Sequence, residues 1–568
     1  MNSETKICQD CKSEFTIEPE DFNFYQKIEV PPPTFCPKCR FQRRLAFFNL
    51  LKIYKRKCDL CGKNSLSMFS PESLYKIYCP KCWWSDDWDP YEYSRDYDFN
   101  QPFFEQLKKF WLEVPTIGLS NALPTMINSE YNNHVGNLKN CYLLFHADFS
   151  EDCSYGFYVT NSKNTLDSSL ISHSELCYDC EHSFKNNRCV GLRKQVTESL
   201  NCHFLRDSAN CQNCFGSTNL RNQKYVFFNQ KYTPEEYAKK LKEFDLGSYQ
   251  NYKLAQKLSE ENWQKHPPLP YCSEFVTNCT GNYVFESKNC KECYEVAGAI
   301  DSKYLFMLAV APIKNCYDIT SWGNNMELCY EVSVTGEGAH RVKFSTQSGI
   351  NLIDAEYCNT VLGGANYFAC SSLKKGKFVI FNKKYPEKEY WQLREKIINH
   401  MNEMPYKNSR GQIYKYGEFF PIEMSPWAYN ETMANNFFPL TKEQTLNAGY
   451  AWKESEPKNH QISIKSEHLP DHIKDAPRDI LNEIIGCAKC DRGFKIIQSE
   501  LDFLKQMNLP LPRECPFCRI EKKFQDWVKD LTLVERTCFK CQSKFQSSYT
   551  LEDYKEILCK ECYLKEII

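Results

Sequence analysis

The sequence predicts a mainly β chain: a parallel β-helix-like solenoid in two blocks, with a paired cysteine-rich module at each end. Three observations carry this. Cys-x-x-Cys pairs occur four times near the start and four times near the end, at matching intervals. Between them single cysteines recur at a near-constant period inside short alternating runs. The recurring region also closes twice with similar text, YVFFNQKYTPEEYAKKLKEF from Tyr225 and FVIFNKKYPEKEYWQLREKI from Phe378.

The first four pairs are Cys8/Cys11, Cys36/Cys39, Cys58/Cys61 and Cys79/Cys82. The last four are Cys487/Cys490, Cys515/Cys518, Cys538/Cys541 and Cys559/Cys562. In both copies 24 residues separate the first two pairs and 17 separate the last two; the middle gap is 18 in one and 19 in the other. A tetrahedral Zn²⁺ takes four thiolates, and two such pairs at this distance supply them. Four zinc ions are therefore expected, on Cys8, Cys11, Cys36 and Cys39; Cys58, Cys61, Cys79 and Cys82; Cys487, Cys490, Cys515 and Cys518; and Cys538, Cys541, Cys559 and Cys562. A cross-braced grouping of alternate pairs satisfies the same requirement. Iron in the same cage, Fe–S clusters and disulfides are the rival readings.

The residues between the pairs repeat too. Phe15, Ile17 and Phe24 match Phe494, Ile496 and Phe503; Pro31, Pro33 and Arg40 match Pro510, Pro512 and Arg519. After Cys39 the run RFQRRLAFFNLLKIY suits a helix with one apolar side, giving a knuckle, a hairpin and a helix whose first turn carries the last ligands. Each unit of roughly 34 residues resembles the small bacterial treble-clef zinc-ribbon domain, C-x2-C-x3-F…F-Y…P-x-x-C-P-x-C-R. The second copy departs from it in having Leu504 where Tyr25 stands. The whole chain also resembles a family of long Cys-rich proteins of reduced-genome bacteria, with such a module at both ends of a Cys-Tyr-rich repeat region. That resemblance implies an architecture and brings no activity.

Of 568 residues 42% are hydrophobic and 25% charged, ordinary for a globular protein. The net charge of −1 advertises neither nucleic acid nor membrane. The start, MNSETKICQD, has no apolar leader core, and the longest apolar run, Tyr304 to Ile313, is too short to span a bilayer. A reducing, cytoplasmic location is expected, without a membrane partner.

Charge is uneven along the chain. From Cys36 to Lys63, Lys38, Arg40, Arg43, Arg44, Lys52, Lys55, Arg56, Lys57 and Lys63 stand against Asp59 alone, +8 in 28 residues. Arg40, Arg43, Arg44, Lys52, Lys55, Arg56 and Lys57 are the candidate nucleic-acid contacts, for RNA or a ribonucleoprotein; a solvated helix face that offsets the thiolate charge is the plainer reading. WWSDDWDPYEYSRDYDFNQPFF, from Trp83, holds Asp86, Asp87, Asp89, Asp96 and Asp98 without calcium-loop spacing, and is expected to be an aromatic packing segment.

In the centre Cys141, Cys153, Cys177, Cys189 and Cys202 follow at intervals of 12, 24, 12 and 13, and Cys279, Cys290, Cys316, Cys329, Cys358 and Cys370 at 11, 26, 13, 29 and 12. Short strands at a constant period predict a solenoid, here with two strand-turn units in a coil of about 24 residues. Cys and aromatic residues should stack inward, with Asn and Asp at the turns. Cys177/Cys180, Cys211/Cys214 and Cys290/Cys293 are close enough to hold metal or form redox pairs. In the closing elements Asn229, Lys231, Tyr232 and Tyr237 match Asn382, Lys384, Tyr385 and Tyr390. A helix should begin at Thr233-Pro234 and another at Pro386, and Asn-x-Lys-Tyr reads as a structural corner. Beyond His400 a Pro- and aromatic-rich stretch should wrap a surface. The polar piece holding His460, His468 and His472 reads as a linker. The expected divisions are 1–95, 96–126, 127–262, 271–400, 401–482 and 483–568.

No phosphate loop, dinucleotide turn or HExxH occurs. His146, Asp148 and Asp152, and His173 and Glu175, lie close in sequence but fix no nucleophile, base and oxyanion donor together. The reading is a zinc-binding scaffold or adaptor for RNA, a ribonucleoprotein or a protein partner. The alternatives are a β-helix enzyme acting on carbohydrate, and a redox or metal-buffering protein, which solvent-exposed central Cys pairs would favour.

Overall fold

Left-handed backbone conformations recur at about every third residue through most of the two β blocks. From Asn137 to Arg188 the positive-φ positions fall at each third residue without a break. The residue after each corner points inward: Cys141, Leu144, Ala147 and Ser150 are buried, then Cys153, three residues on. Parallel strands pair at the matching interval, Tyr142 with Ser154 and Lys163 with Glu175, so the register returns at every fourth corner. The observed register of 12 residues, spanning four corners, is half the repeat of two longer strands expected from the sequence. The computed structural model describes residues 2–308, 310–454 and 461–567; His460 lies outside them.

The chain is mainly β, and its parallel pairings branch into closed, barrel-like sheets of 11 and 13 strands. It forms two units, each from two separate stretches: residues 1–120 with 273–454, and 121–272 with 455–568.

In the unit of 121–272 and 455–568, small side chains fill the narrow interior. Cys153, Cys177, Cys189 and Cys202 are fully buried. Inward serines meet their polar cost across the register: the Ser162 N–H donates to Ser150 Oγ (3.2 Å), the Ser174 N–H to Ser162 Oγ (3.3 Å) and the Asn186 N–H to Ser174 Oγ (3.0 Å). Several bare corners carry Asn or Asp, which tolerate positive φ. Their side chains form ladders, Asn128 to Asn140 (3.2 Å), Asn140 to Asp152 (3.0 Å) and Asn201 to Asn213 (2.6 Å). Cysteines are inward as expected, but Tyr178, after Cys177, faces outward and lies beneath the covering helices. The helix Pro234–Glu243 begins as predicted, with Thr233 and Glu236 forming a capping box. A second helix, Tyr249–Trp263, follows it. Asn229 Oδ1 accepts from the Thr218 N–H (3.1 Å) and Asn229 Nδ2 donates to the Thr218 carbonyl (2.8 Å), which makes it a structural corner.

In the unit of 1–120 and 273–454 the register step varies from 11 (Cys279 to Cys290) through 14 (Lys303 to Tyr317) to 12 (Phe368 to Ile380). Asn382 makes the same corner, its Oδ1 accepting from the Ser371 N–H at 3.0 Å. The helix Glu387–Glu403 follows Pro386. The stretch after it wraps the block, burying Phe419, Phe420 and Trp427 in one core with Trp111 and Tyr357. Within Trp83 to Phe104, Trp83 and Phe103 are buried, Asp86 and Asp87 are exposed, and Asp96 pairs with Lys383 (2.6 Å). Among the described residues no helix is long and apolar enough to cross a membrane.

Candidate metal centres and the helices beside them

Each terminal module starts with a short antiparallel hairpin that presents the first Cys pair, Glu4–Ile7 with Glu14–Ile17 at the N-terminal end. The second pair lies at the start of a helix: Cys36 is the N-cap of Pro37–Leu45, and Cys515 that of Pro516–Asp530. An extra helix, Pro19–Lys27, stands between hairpin and ligand helix, started by Pro19 and a capping box of Glu18 with Asp21. The helix after Cys39 stops at Leu45, well short of the run that sequence pattern assigned to it.

The sulfurs gather into four groups of successive pairs: Cys8, Cys11, Cys36 and Cys39; Cys58, Cys61, Cys79 and Cys82; Cys487, Cys490, Cys515 and Cys518; Cys538, Cys541, Cys559 and Cys562. Within each group all lie within 4.8 Å of one another. Cys11 and Cys36 are 3.7 Å apart, Cys487 and Cys518 3.8 Å, Cys490 and Cys515 3.8 Å, and Cys541 and Cys559 3.7 Å. Four sulfurs about 2.3 Å from one ion stand about 3.8 Å apart at the edges of a tetrahedron. The donor set thus fits a four-thiolate ion. All are free thiols.

One contact recurs in all four groups. The backbone N–H of the third cysteine donates to the sulfur of the first: Cys36 to Cys8 (3.3 Å), Cys79 to Cys58 (3.2 Å), Cys515 to Cys487 (3.2 Å) and Cys559 to Cys538 (3.3 Å). Such N–H groups favour the thiolate. Burial pushes the Cys487 thiol up, but the N–H groups of Cys515, Lys489 and Cys490 outweigh it and hold it at about 7. Cys58 is held at about 7 in the same way, by Cys61, Cys79 and Leu60.

The candidate nucleic-acid surface requires correction. Arg40, Arg43 and Arg44 are 1%, 2% and 0% exposed and cannot meet phosphate. Arg40 donates through Nε (3.0 Å) and Nη2 (2.8 Å) to Asp318 Oδ2, and Arg44 Nη1 to Asp318 Oδ1 (3.0 Å). Arg43 Nη2 reaches Glu331 Oε2 (3.0 Å) and Glu418 Oε2 (3.3 Å). Three guanidinium groups face three carboxylates, a balanced buried cluster. Arg56 donates to the Ser70 carbonyl (3.0 Å) and to Asp59 (3.0 Å). Lys52, Lys55 and Lys57 remain exposed.

The C-terminal module repeats this docking on its own block. Arg519, which follows Cys518 as Arg40 follows Cys39, pairs with Asp167 and with Glu500 (2.9 Å), while Lys523 pairs with Asp179. Arg519 lies over the Tyr155 ring at 4.9 Å, as Arg40 lies over Tyr304 at 5.6 Å. The acids hold equivalent places. Five register steps back from Ile380 lead through Phe368, Glu356, Lys343 and Tyr330 to Tyr317, whose next residue is Asp318. Five steps back from Phe227 lead through Phe215, His203, Val190 and Tyr178 to Leu166, whose next residue is Asp167. Both acids stand at left-handed corners. Sequence reasoning missed both; a signal existed for Asp318, though not for Asp167: Cys177-Tyr178-Asp179, Cys316-Tyr317-Asp318 and Cys329-Tyr330-Glu331 put Cys inward, Tyr outward and an acid at the corner.

The later four-cysteine groups dock through aromatic residues. Trp83 follows Cys82, is buried, and lies 5.2 Å from Lys374 Nζ. Tyr563 follows Cys562, and its hydroxyl donates to Asn219 Oδ1 (2.9 Å).

No family model and no curated protein matches the chain. Five solved chains do. One is a candidate acetyltransferase from Desulfovibrio desulfuricans G20, 9% identical over 51% of this chain and 74% of that one, with a TM-score of 0.09. A likeness so low carries no argument. The zinc-ribbon resemblance therefore rests on cysteine spacing and sulfur geometry.

Elsewhere the expected candidates separate. Cys177/Cys180, Cys211/Cys214 and Cys290/Cys293 are all buried on successive inward positions. His472 bonds to Asp245 (3.0 Å), while the His468 side chain is exposed. His146 stacks on Tyr158 at 4.5 Å, and Asp148 accepts from Asn137 (2.9 Å).

Proposed function

We propose that this chain is a zinc-organised scaffold, in which treble-clef and ribbon modules hold two short β-solenoids rigid. The observation that carries the reading is the placement of a buried, charge-balanced latch directly after the fourth ligand of a four-thiolate site. Folding around the ion orients the helix, and the helix sets Arg40 or Arg519 on its acid corner. Zinc suits four thiolates with no open position, a structural rather than a catalytic arrangement. A reducing compartment such as the cytoplasm keeps these thiols able to bind it. The register steps, such as Tyr142 to Ser154 and Lys303 to Tyr317, support a solenoid with one turn per step. Its bare Asn- and Asp-rich corners are the surfaces a protein partner would meet.

The test is metal analysis of protein purified without oxygen, followed by chelation. About four zinc ions per chain and loss of the folded modules on chelation are expected. Two or fewer ions, or a fold indifferent to chelation, would sink the reading. An RNA role now rests on Lys52, Lys55 and Lys57 alone. Binding of labelled single-stranded RNA that Lys55→Glu with Lys57→Glu abolishes would restore it.

A further inference from the structure

The hairpin of the second N-terminal four-cysteine group and its C-terminal counterpart share a frame and differ in charge. Tyr54–Lys57 pairs with Asn64–Ser67, and Val534–Thr537 with Lys544–Ser547, in the same antiparallel register. Each hairpin belongs to a group of four sulfurs that lie within 4.8 Å of one another. Residues 51–82 hold seven basic side chains against two acidic ones, a net +5, whereas residues 531–562 hold five of each. A four-thiol group therefore needs no surplus of lysine beside it, and the charge of the N-terminal hairpin has no structural reason there.

The charge is also gathered on one face. Lys55 and Lys57 are exposed and alternate with Tyr54 and Arg56, which are half-buried. Their cross-strand neighbours are Leu66 and Asn64, so no acid stands opposite them. In the C-terminal hairpin Glu535 takes the place of Lys55 and Lys544 that of Asn64, and the two pair at 2.9 Å. The acids of residues 51–82 are taken up elsewhere. Asp59 pairs with Arg56 (3.0 Å) and accepts from the Ile77 N–H (2.6 Å), and Glu72 pairs with Lys453 (2.9 Å). Lys52, before the first strand, and Lys63, before the second, are exposed as well. Among the described residues none of these four lysines forms an ion pair.

We propose that the face of Lys55 and Lys57 docks double-stranded nucleic acid through its phosphates, without reading sequence. The inference rests on the scaffold reading, since an ion at Cys58, Cys61, Cys79 and Cys82 would fix the hairpin that carries the lysines. Lysine is a compact point charge that suits phosphate oxygens. Two residues along a strand span about 6.8 Å, close to the step between neighbouring phosphates of one nucleic-acid strand. The face lacks what other partners require. Protein interfaces are poor in lysine and anchored by aromatic residues and arginine. Here the Tyr54 hydroxyl donates to Glu431 (2.6 Å) and Arg56 is held by Asp59, both turned away from the lysines. A single strand stacks its bases on aromatic rings, whereas the exposed large apolar residue of this hairpin is Leu60, 38% exposed. A duplex presents phosphates at its rim and needs neither.

The test uses full-length zinc-loaded protein and three labelled probes: a mixed-sequence duplex, one of its strands alone, and a polyglutamate peptide. Binding is followed by fluorescence anisotropy at several salt concentrations, and zinc is counted on the same sample. The duplex should bind more tightly than the strand or the peptide, a duplex of shuffled sequence should bind equally, and affinity should fall with salt. Lys55→Gln with Lys57→Gln should weaken duplex binding by about tenfold or more and lower the salt slope by about 2, with zinc content and thermal midpoint unchanged. Lys239→Gln with Lys242→Gln, at exposed positions of the helix Pro234–Glu243, should alter neither affinity nor slope. Tighter binding of the strand or the peptide, or a Lys55→Gln, Lys57→Gln variant that holds the duplex like the parent, would overturn the proposal. Full zinc content without duplex binding would overturn it too and leave the scaffold reading standing, whereas a low zinc count would tell against the scaffold reading.

Discussion

Arg40, Arg43 and Arg44 show how one residue's role turns on burial. The linear run reads as +8 of free charge, yet its three arginines are enclosed with Asp318, Glu331 and Glu418. Removing one partner of a buried ion pair typically costs about 3–5 kcal/mol, because the other charge stays buried and unpaired. Arg40→Ala should therefore lower the denaturant midpoint of its unit sharply, while Lys55→Ala, at an exposed site, should stay within about 0.5 kcal/mol. Equal stability of the two variants would contradict the latch. Glu356 gives the pH dependence. Burial raises its carboxyl, but Lys343 (2.6 Å) and Arg394 (2.7 Å) outweigh this and hold it at about 2, against 4.5 unperturbed. A depressed carboxyl binds protons more weakly folded than unfolded, so its contribution is present above pH 4.5 and lost as pH falls through about 2. That contribution is on the order of 3 kcal/mol. Stability measured from pH 6 down to pH 2 should fall less steeply for Glu356→Gln than for the parent, by this group's share.

At the scale of the element, the three-residue rhythm decides what each side chain does. A cysteine recurring near 12 is legible in sequence; the four corners within each interval are not, because left-handed residues include Tyr155, Phe204 and Asp167 as well as Asn. The sequence pattern therefore finds the repeat and doubles its register. Exposed corners often hold Asn or Asp, though Phe149, Lys185 and Phe275 also stand at exposed corners; corners beneath helices include bulky or charged groups such as Tyr155 and Asp167 that packing keeps in place. Gly191 sits at such a covered corner with φ +67°, where an added Cβ would come within 2.5 Å of the Phe204 ring. Gly191→Ala should cost about 1–3 kcal/mol in thermal unfolding. Asn213→Gly, at a corner that keeps its φ preference, should change stability by less than about 1 kcal/mol.

Across the whole molecule, each unit is built from stretches far apart in sequence. The N-terminal four-cysteine module belongs to the second β block and the C-terminal module to the first. Loss of one cysteine of a module's first four-thiol group should therefore damage one unit and spare the other. Cys39→Ser is expected to lower one thermal transition and expose residues 19–57 to proteolysis, leaving a second transition where it was. Cys518→Ser should move the other. A single transition that shifts equally in both variants would contradict independent units.

The sequence by itself determined the eight Cys-x-x-Cys pairs, their grouping potential, the repeat of two blocks and the helices that begin at Thr233-Pro234 and Pro386. These are local features: ligand bite, period and capping each depend on residues a few places apart. Tertiary structure alone decided that the arginines beside the ligands face acids instead of phosphate, that a turn closes at its fourth corner, and that each module meets the block farther from it in the chain. Burial and charge pairing join positions such as Arg40 and Asp318, separated by 278 residues. No local pattern encodes which of many carboxylates a buried guanidinium will meet, because desolvation makes that choice only once the chain has closed around it.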